Sequence, residues 1–99
     1  MPTYMILMKM TPEGKKQLKE RPKSIDGAIK TLEAMGGKIF GFFASSALYD
    51  FIGIGEAPND GVCEQFRQLA MSWGKIDAQV IRLFTKDEFD KLILAIKIE

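Results

Sequence analysis

The sequence has no histidine and only one cysteine, Cys63, among its 99 residues. This inventory excludes zinc sites of the usual kinds, histidine-ligated haem, and Ser-His-Asp or Cys-His catalytic groups. Neither a P-loop nor a GxGxxG pattern occurs, so no nucleotide site is indicated. We therefore expect no metal and no cofactor. A single cysteine also excludes an intrachain disulfide, which is typical of proteins from reducing compartments.

Long apolar runs and an excess of one charge are also absent. No stretch approaches the ~20 apolar residues that span a bilayer, and the apolar start lacks the basic region and cleavage site of a signal peptide. The net charge of +1 gives no long-range attraction to nucleic acid or anionic membrane. Basic residues crowd between Lys9 and Lys38, but acidic residues interleave with them, which indicates a solvated helix face. We predict a cytoplasmic chain without nucleic-acid or membrane partners.

The composition is that of an ordinary globular protein, with 46% hydrophobic and 27% charged residues. Its length fits one domain over residues 1–99. Hydrophobic periodicity and turn residues divide the chain into alternating strands and helices. The predicted elements are strands over residues 3–10, 38–45, 49–56 and 76–84, a helix from 12 to about 20 that restarts at 24, a helix after 60 and a helix after 85.

Local signals mark the helix ends. Thr11 can cap a helix that begins at Pro12, and Pro22 should interrupt that helix until Ser24 restarts it. Gly36-Gly37 and Gly74 end helices, because glycine adopts the left-handed conformation at low cost. Thr85 followed by Glu88 fits a capping box. The apolar stripes of the three helices comprise Ile25, Ala28, Ile29, Leu32 and Met35, then Val62, Phe66, Leu69, Ala70 and Trp73, and finally Phe89, Leu92, Ile93 and Ile96.

The order β-α-β-β-α-β predicts an α+β, ferredoxin-like fold with a four-stranded antiparallel sheet and an extra C-terminal helix. Alternate residues of a strand point to opposite faces of the sheet, and in these strands both sets are apolar. Two helices, however, cover only one face of such a sheet. A second copy of the chain is the simplest cover for the other face, and this predicts a dimeric α/β barrel. In the alternative, the C-terminal helix folds over that face and the protein is a monomer.

Tyr49 and Asp50 are the weak candidates for catalytic residues, as a phenol donor beside a carboxylate acceptor. Adjacent strand residues point to opposite faces, however, so a joint role would need a bulge. We favour a structural interpretation, in which Asp50 accepts from backbone donors at the Ala47-Leu48 turn and Tyr49 is half-buried in the sheet.

Arg82 lies among apolar residues of the last strand, and a buried arginine needs a partner. Glu56 or Asp50 could supply the carboxylate. Arg82 is then either an anion site for a carboxylate ligand or an exposed edge residue, and the sequence does not decide between them. With Tyr4 and Tyr49 it forms the set of candidate ligand-binding residues. Cys63 falls in the first turns of a helix, where a thiol pKa is lowered, but no histidine is present to act as base.

Three segments resemble the GYD-domain family: Gly36-Gly37-Lys38, Leu48-Tyr49-Asp50 and Glu56-Ala57-Pro58-Asn59-Asp60. The flanks are similar as well, with Tyr4-Met5-Ile6-Leu7, Thr11 and Gly14 before these segments and Gly74, Arg82 and Phe84 after them. The likeness thus covers nearly the whole chain except the C-terminal helix. The family is named for a Gly-Tyr-Asp motif, and in this sequence Leu48 occupies the position of the glycine. The resemblance implies a small bacterial or archaeal protein of the dimeric α/β-barrel type, of poorly defined function and without established catalytic residues.

Three functions remain open from the sequence. The first is a homo-oligomeric domain of undetermined function that binds a small molecule in an apolar cavity near the barrel mouth. The second is a cofactor-independent enzyme, an isomerase or monooxygenase, by analogy of fold alone. The third is a regulatory or interaction module. A closed, polar-lined cavity of a few hundred Å3 between sheet and helices would favour a ligand or an enzyme, whereas a fully packed interior would favour a purely structural role.

Overall fold

A computed structural model of the chain describes residues 1–96. Within this part the order of elements is that predicted, with the first helical region divided in two and a 3-10 turn at Leu18–Glu20 between the halves. The elements are β1 (Thr3–Met10), α1 (Pro12–Lys16), α2 (Arg21–Ala34), β2 (Lys38–Ala44), β3 (Phe51–Glu56), α3 (Asp60–Ser72), β4 (Ile76–Leu83) and α4 (Lys86–Leu94).

The four strands form one antiparallel sheet in the order β2-β3-β1-β4. This order, with helices in the β1–β2 and β3–β4 connections, confirms the ferredoxin-like fold. Helices α2 and α3 pack on one face of the sheet. The core there joins Ile6 of β1, Leu32 of α2, Phe66 of α3 and Ala78 of β4, all at most 6% exposed.

The first helical region differs from the prediction in where it breaks. Thr11 caps α1 as expected, accepting from the Gly14 amide at 3.1 Å. The helix ends at Lys16 rather than near Pro22, and Pro22 lies in the first turn of α2 instead of before its start. The prediction of a restart at Ser24 was therefore wrong, because a proline in the first turn loses no hydrogen bond that the helix needs.

The β2–β3 connection is longer than predicted and spans residues 45–50. The Ser45 amide donates to the Asp50 carbonyl at 2.8 Å and closes the loop. Tyr49 and Asp50 consequently precede β3 instead of beginning it, so the alternation of strand side chains does not apply to them. Leu48 in this loop has no positive φ, and only Gly36 and Gly74 adopt that conformation among residues 1–96. The turn therefore does not need the glycine of the family name.

The second face of the sheet, here called the open face, carries apolar side chains that no helix covers. Met5 pairs with Ile54 on one side and Ile81 on the other, and cross-strand partners share a face. Phe43 is 56% exposed. The apolar members of the open face are Met5, Leu7, Phe43, Ile52, Ile54, Ile81 and Leu83, and Phe40 is 54% exposed at the bulge of β2.

Helix α4 begins with the predicted capping box, in which Thr85 and Glu88 bond reciprocally. It makes no extensive contact with any other element of residues 1–96, and its stripe of Phe89, Leu92, Ile93 and Ile96 is 44% to 55% exposed. The radius of gyration of 15.4 Å exceeds the ~13 Å of a compact chain of this size, in agreement with a projecting helix. The open face is therefore not covered by α4. No helix among these residues has the length and apolarity to cross a membrane.

Candidate functional site

A cavity of about 450 Å3 lies between α2, α3 and the covered face of the sheet. Its walls are mostly apolar, so the cavity has the predicted size and place but not the predicted polar lining. Ile25, Ala28 and Ile29 of α2 form one side, and Phe66, Ala70 and Trp73 of α3 form another, while the sheet contributes Ile6, Met8, Ile39, Phe42, Phe51, Gly53 and Ile76. The polar residues around it are Glu20, Arg21, Ser24, Thr31 and Lys75.

The packing of α2 explains why the cavity exists. Leu32, near the C-terminal end of α2, is 1% exposed and holds that end against the sheet. A Cβ atom on Gly37 would lie only 2.8 Å from the Leu32 side chain, so this contact depends on glycine. The N-terminal half of α2 is packed less closely, as the half-buried Ile25, Ala28 and Ile29 show. Gly53 leaves further space in the floor beneath them.

Arg21 is the buried charged residue of this site, with 5% exposure. Its Nε atom donates to the Gln17 carbonyl at 3.3 Å. The sequence placed the basic residues between Lys9 and Lys38 on a solvated face, and for Arg21 this interpretation is wrong. The signal was present, since Arg21 precedes Ile25 by four residues and therefore continues the apolar stripe of α2.

A second cluster joins β1, α3 and β4 and contains two of the predicted ligand residues. The Tyr4 hydroxyl donates to Oδ1 of Asp60, and Arg82 Nη1 lies 3.7 Å from the same oxygen. Burial and this hydrogen bond raise the pKa of Tyr4 to about 12. Arg82 is 41% exposed on an edge strand, and its guanidinium also stacks 5.0 Å from the Phe84 ring centroid.

Asp60 is therefore the carboxylate that pairs with Arg82, where the sequence suggested Glu56 or Asp50. Sequence reasoning assigned Asp60 only to the start of α3, because capping signals are local and its partners Tyr4 and Arg82 are distant in the chain. Tyr4 and Arg82 are cross-strand partners in the sheet, and this register brings them to one side of Asp60. The cluster is a half-exposed ion pair beside a buried phenol.

Cys63, in the second turn of the same helix, is 2% exposed. Burial, Asp60 and Glu64 raise the pKa of its thiol to about 11. The lowering expected from a helix N-terminus is thus outweighed by desolvation and by neighbouring negative charge. A protonated, inaccessible thiol is part of the core and not a nucleophile.

Tyr49 and Asp50 make separate contacts. The Tyr49 hydroxyl donates to Oε1 of Gln79 at 2.8 Å, which draws the ring across β1 on the open face. Asp50 Oδ2 accepts from the Met10 amide at 2.7 Å. This agrees with the prediction that Asp50 serves backbone donors, although the donor belongs to β1 instead of the Ala47-Leu48 turn.

The predicted site residues thus fall in two places, Tyr4 with Arg82 and Tyr49 with Asp50, and the cavity is lined by none of these four. Tyr4 borders only a void of about 10 Å3 next to Ala57 and Cys63. The cavity lies between the sheet and the helices of one chain. Among residues 1–96, no three histidine, cysteine or acidic side chains are close enough together to hold a metal ion.

A search of curated proteins finds no match to the chain. Residues 4–93 match the family model described as the GYD domain. The match continues through most of α4, whereas the sequence motifs indicated a likeness that stopped before this helix. The chain belongs to the GYD-domain family.

Proposed function

We propose that the chain is a cytoplasmic, homodimeric domain that binds a small molecule between its sheet and its helices. The observation that carries the proposal is that the sheet is apolar on both faces, while the helices cover one face and leave a cavity beneath them. The open face then meets the open face of a second copy, as in a dimeric α/β barrel. The buried Cys63, without a disulfide partner, agrees with a reducing compartment.

The charges around the open face favour a second copy as its cover. Lys9 and Asp77 are cross-strand partners at one end of this face, and Lys38 and Glu56 are partners at the other end. Each end therefore offers both a cation and an anion. Two such faces related by a two-fold axis place opposite charges within reach at the rim, around an apolar centre.

The open face alone is smaller than the interface of a stable pair, and the exposed stripe of α4 can supply the difference. Strands of eight residues at about 3.3 Å per residue, with four strands about 4.8 Å apart, give a face of about 500 Å2. Stable pairs bury about 800 Å2 on each partner. The exposed stripe of α4 adds apolar area on the same chain. We propose that α4 reaches across to the second subunit, which would cover both surfaces at once.

Ligand binding is supported by the size and the lining of the cavity. Its volume of about 450 Å3 falls within the range of about 300 to 1,000 Å3 typical of small-molecule sites. An interior that served only as a scaffold would be filled by side chains. Phe42 and Phe51, whose ring centroids are 5.6 Å apart, provide an aromatic wall on the sheet side.

Trp73 offers a direct test, because it lines the cavity and is the one tryptophan of the sequence. We expect 1-octanol, used as a neutral apolar probe, to change the Trp73 emission in a saturable titration. Ala28→Phe fills the cavity from α2 and should weaken binding by about tenfold or more. Ala34→Phe, on the exposed end of the same helix, is the matched control and should bind like the unchanged protein.

Two results would contradict the ligand-binding proposal. One is a wild-type titration without a saturable change in emission and without bound octanol detected by NMR. The other is equal binding by Ala28→Phe and Ala34→Phe, since this would place the probe outside the cavity.

A further inference from the structure

The buried Arg21 side chain borders the apolar cavity and carries a charge that a neutral ligand would leave unused. The side chain is 95% buried and lines the cavity beside Ser24 and Ile25. Within residues 1–96, no carboxylate oxygen lies within 4.0 Å of it. The recorded hydrogen bond from this side chain is the one from Nε to Gln17. A buried cation without a counterion is costly, so an anion at this position would stabilise the fold.

The terminal nitrogens of Arg21 remain accessible to such an anion. No buried side-chain nitrogen or oxygen atom in the described part of the chain lacks a hydrogen-bond partner. The two terminal nitrogens have no hydrogen-bond partner among residues 1–96, so they are not fully sealed from solvent, and the side chain borders the cavity. Two parallel N–H groups are the geometry that binds a planar carboxylate through two hydrogen bonds.

The other charges around the cavity leave an excess of positive charge. Lys75 contributes a second, half-buried cation, and Glu20 contributes the one carboxylate among the lining residues. Glu20 is exposed and does not form an ion pair with Arg21. An anionic group near Arg21 would therefore meet a net positive potential at one end of an otherwise apolar chamber.

We infer that the cavity binds an amphipathic carboxylic acid, with its carboxylate on Arg21 and its hydrocarbon body against Phe42, Phe51 and Trp73. This inference rests on the proposed ligand-binding function and names the chemical class of the ligand. The apolar walls supply affinity through burial, and Arg21 supplies orientation and selectivity for the anion.

A pair of probes that differ only in the head group tests the inference without any substitution. Octanoate and 1-octanol are titrated at pH 8, where the acid is ionised, and Trp73 emission reports binding to each. We expect octanoate to bind about tenfold or more tightly than octanol, the ratio that hydrogen bonds to a charged group supply. Equal affinities would overturn the carboxylate inference and leave ligand binding intact, whereas binding of neither probe would overturn both.

Substitutions then locate the anion. Arg21→Met keeps the apolar stem of the side chain and removes the charge, so the ratio of the octanoate affinity to the octanol affinity should fall to about one. Arg21→Lys keeps the positive charge but lacks the two parallel N–H groups, so it should retain part of the preference for octanoate. The control is Arg82→Met in the Tyr4–Asp60–Arg82 cluster, which should keep the full preference. If Arg82→Met loses the preference and Arg21→Met keeps it, the anion binds at the other cluster and the assignment to Arg21 is wrong.

Discussion

Tyr4 and Asp60, 56 residues apart, are joined by a hydrogen bond from the phenol to the carboxylate that ties the central strand β1 to the first turn of α3. Tyr4 is buried, whereas Asp60 is largely exposed and also faces Arg82. This polar contact lies at the end of the apolar interface between the strand and the helix, both of which border the cavity.

Tyr4→Phe should destabilise the protein by about 1 to 2 kcal/mol. Hydrogen bonds to charged groups contribute about 1.5 to 3 kcal/mol, and we expect the lower part of this range because the exposed Asp60 carboxylate can be solvated by water in the variant. Urea unfolding followed by circular dichroism measures the change. Tyr49→Phe is the matched control, since its partner Gln79 is exposed, and it should cost less than about 0.5 kcal/mol. Equal losses in the two variants would contradict the special role of the Tyr4 contact.

Stability should fall as the solution becomes alkaline. The pKa of Cys63 rises from 9.0 to about 11 in the folded chain, and that of Tyr4 rises from 10.0 to about 12. The folded state therefore holds both protons more tightly than the unfolded state does. This contribution is fully present below pH 9 and is lost between pH 9 and pH 12.

Urea midpoints measured from pH 8 to pH 12 test this dependence. The double variant Tyr4→Phe/Cys63→Ala removes both titrating groups, so its midpoint should decline less steeply than that of the wild-type protein over the same interval. Parallel curves for the two proteins would show that neither group contributes.

We expect Asp50 to stabilise the fold by accepting a hydrogen bond from the Met10 amide, and not to act as a catalytic residue. Asp50→Ala removes the acceptor at 2.7 Å from this amide, and we expect a loss of about 1 to 2 kcal/mol in the free energy of unfolding. Asp50→Asn keeps an acceptor oxygen in the same position and should lose less. A fully stable Asp50→Ala variant would show that the contact is replaced by water without cost.

The sequence predicted the fold well because the signals for it are local. Caps such as Thr11 and Thr85, the spacing of apolar residues in α2 and the positive φ of Gly36 each depend on a few neighbouring residues. The β2–β3 loop was harder, since the position at which β3 begins depends on hydrogen bonds that Asp50 makes with β1.

The candidate site was largely hidden from the sequence. Arg21 shares the apolar stripe of α2, but its burial depends on how far the N-terminal half of that helix stands from the sheet. The sequence indicated Asp60 only as a residue at the start of a helix. Its pairing with Tyr4 and Arg82 follows from the packing of α3 on the sheet. Tertiary distances of this kind are not encoded in any short motif.

Self-association through the open face is the central claim, and sedimentation equilibrium tests it most directly. Phe43 is 56% exposed on the edge strand β2, close to its C-terminal end, and Leu18 is 57% exposed on the 3-10 turn between α1 and α2. We predict a wild-type mass of about twice the 11.1 kDa of one chain, an unchanged mass for Leu18→Asp, and a folded monomer for Phe43→Asp. A wild-type protein that sediments as a single chain at high concentration would contradict the account.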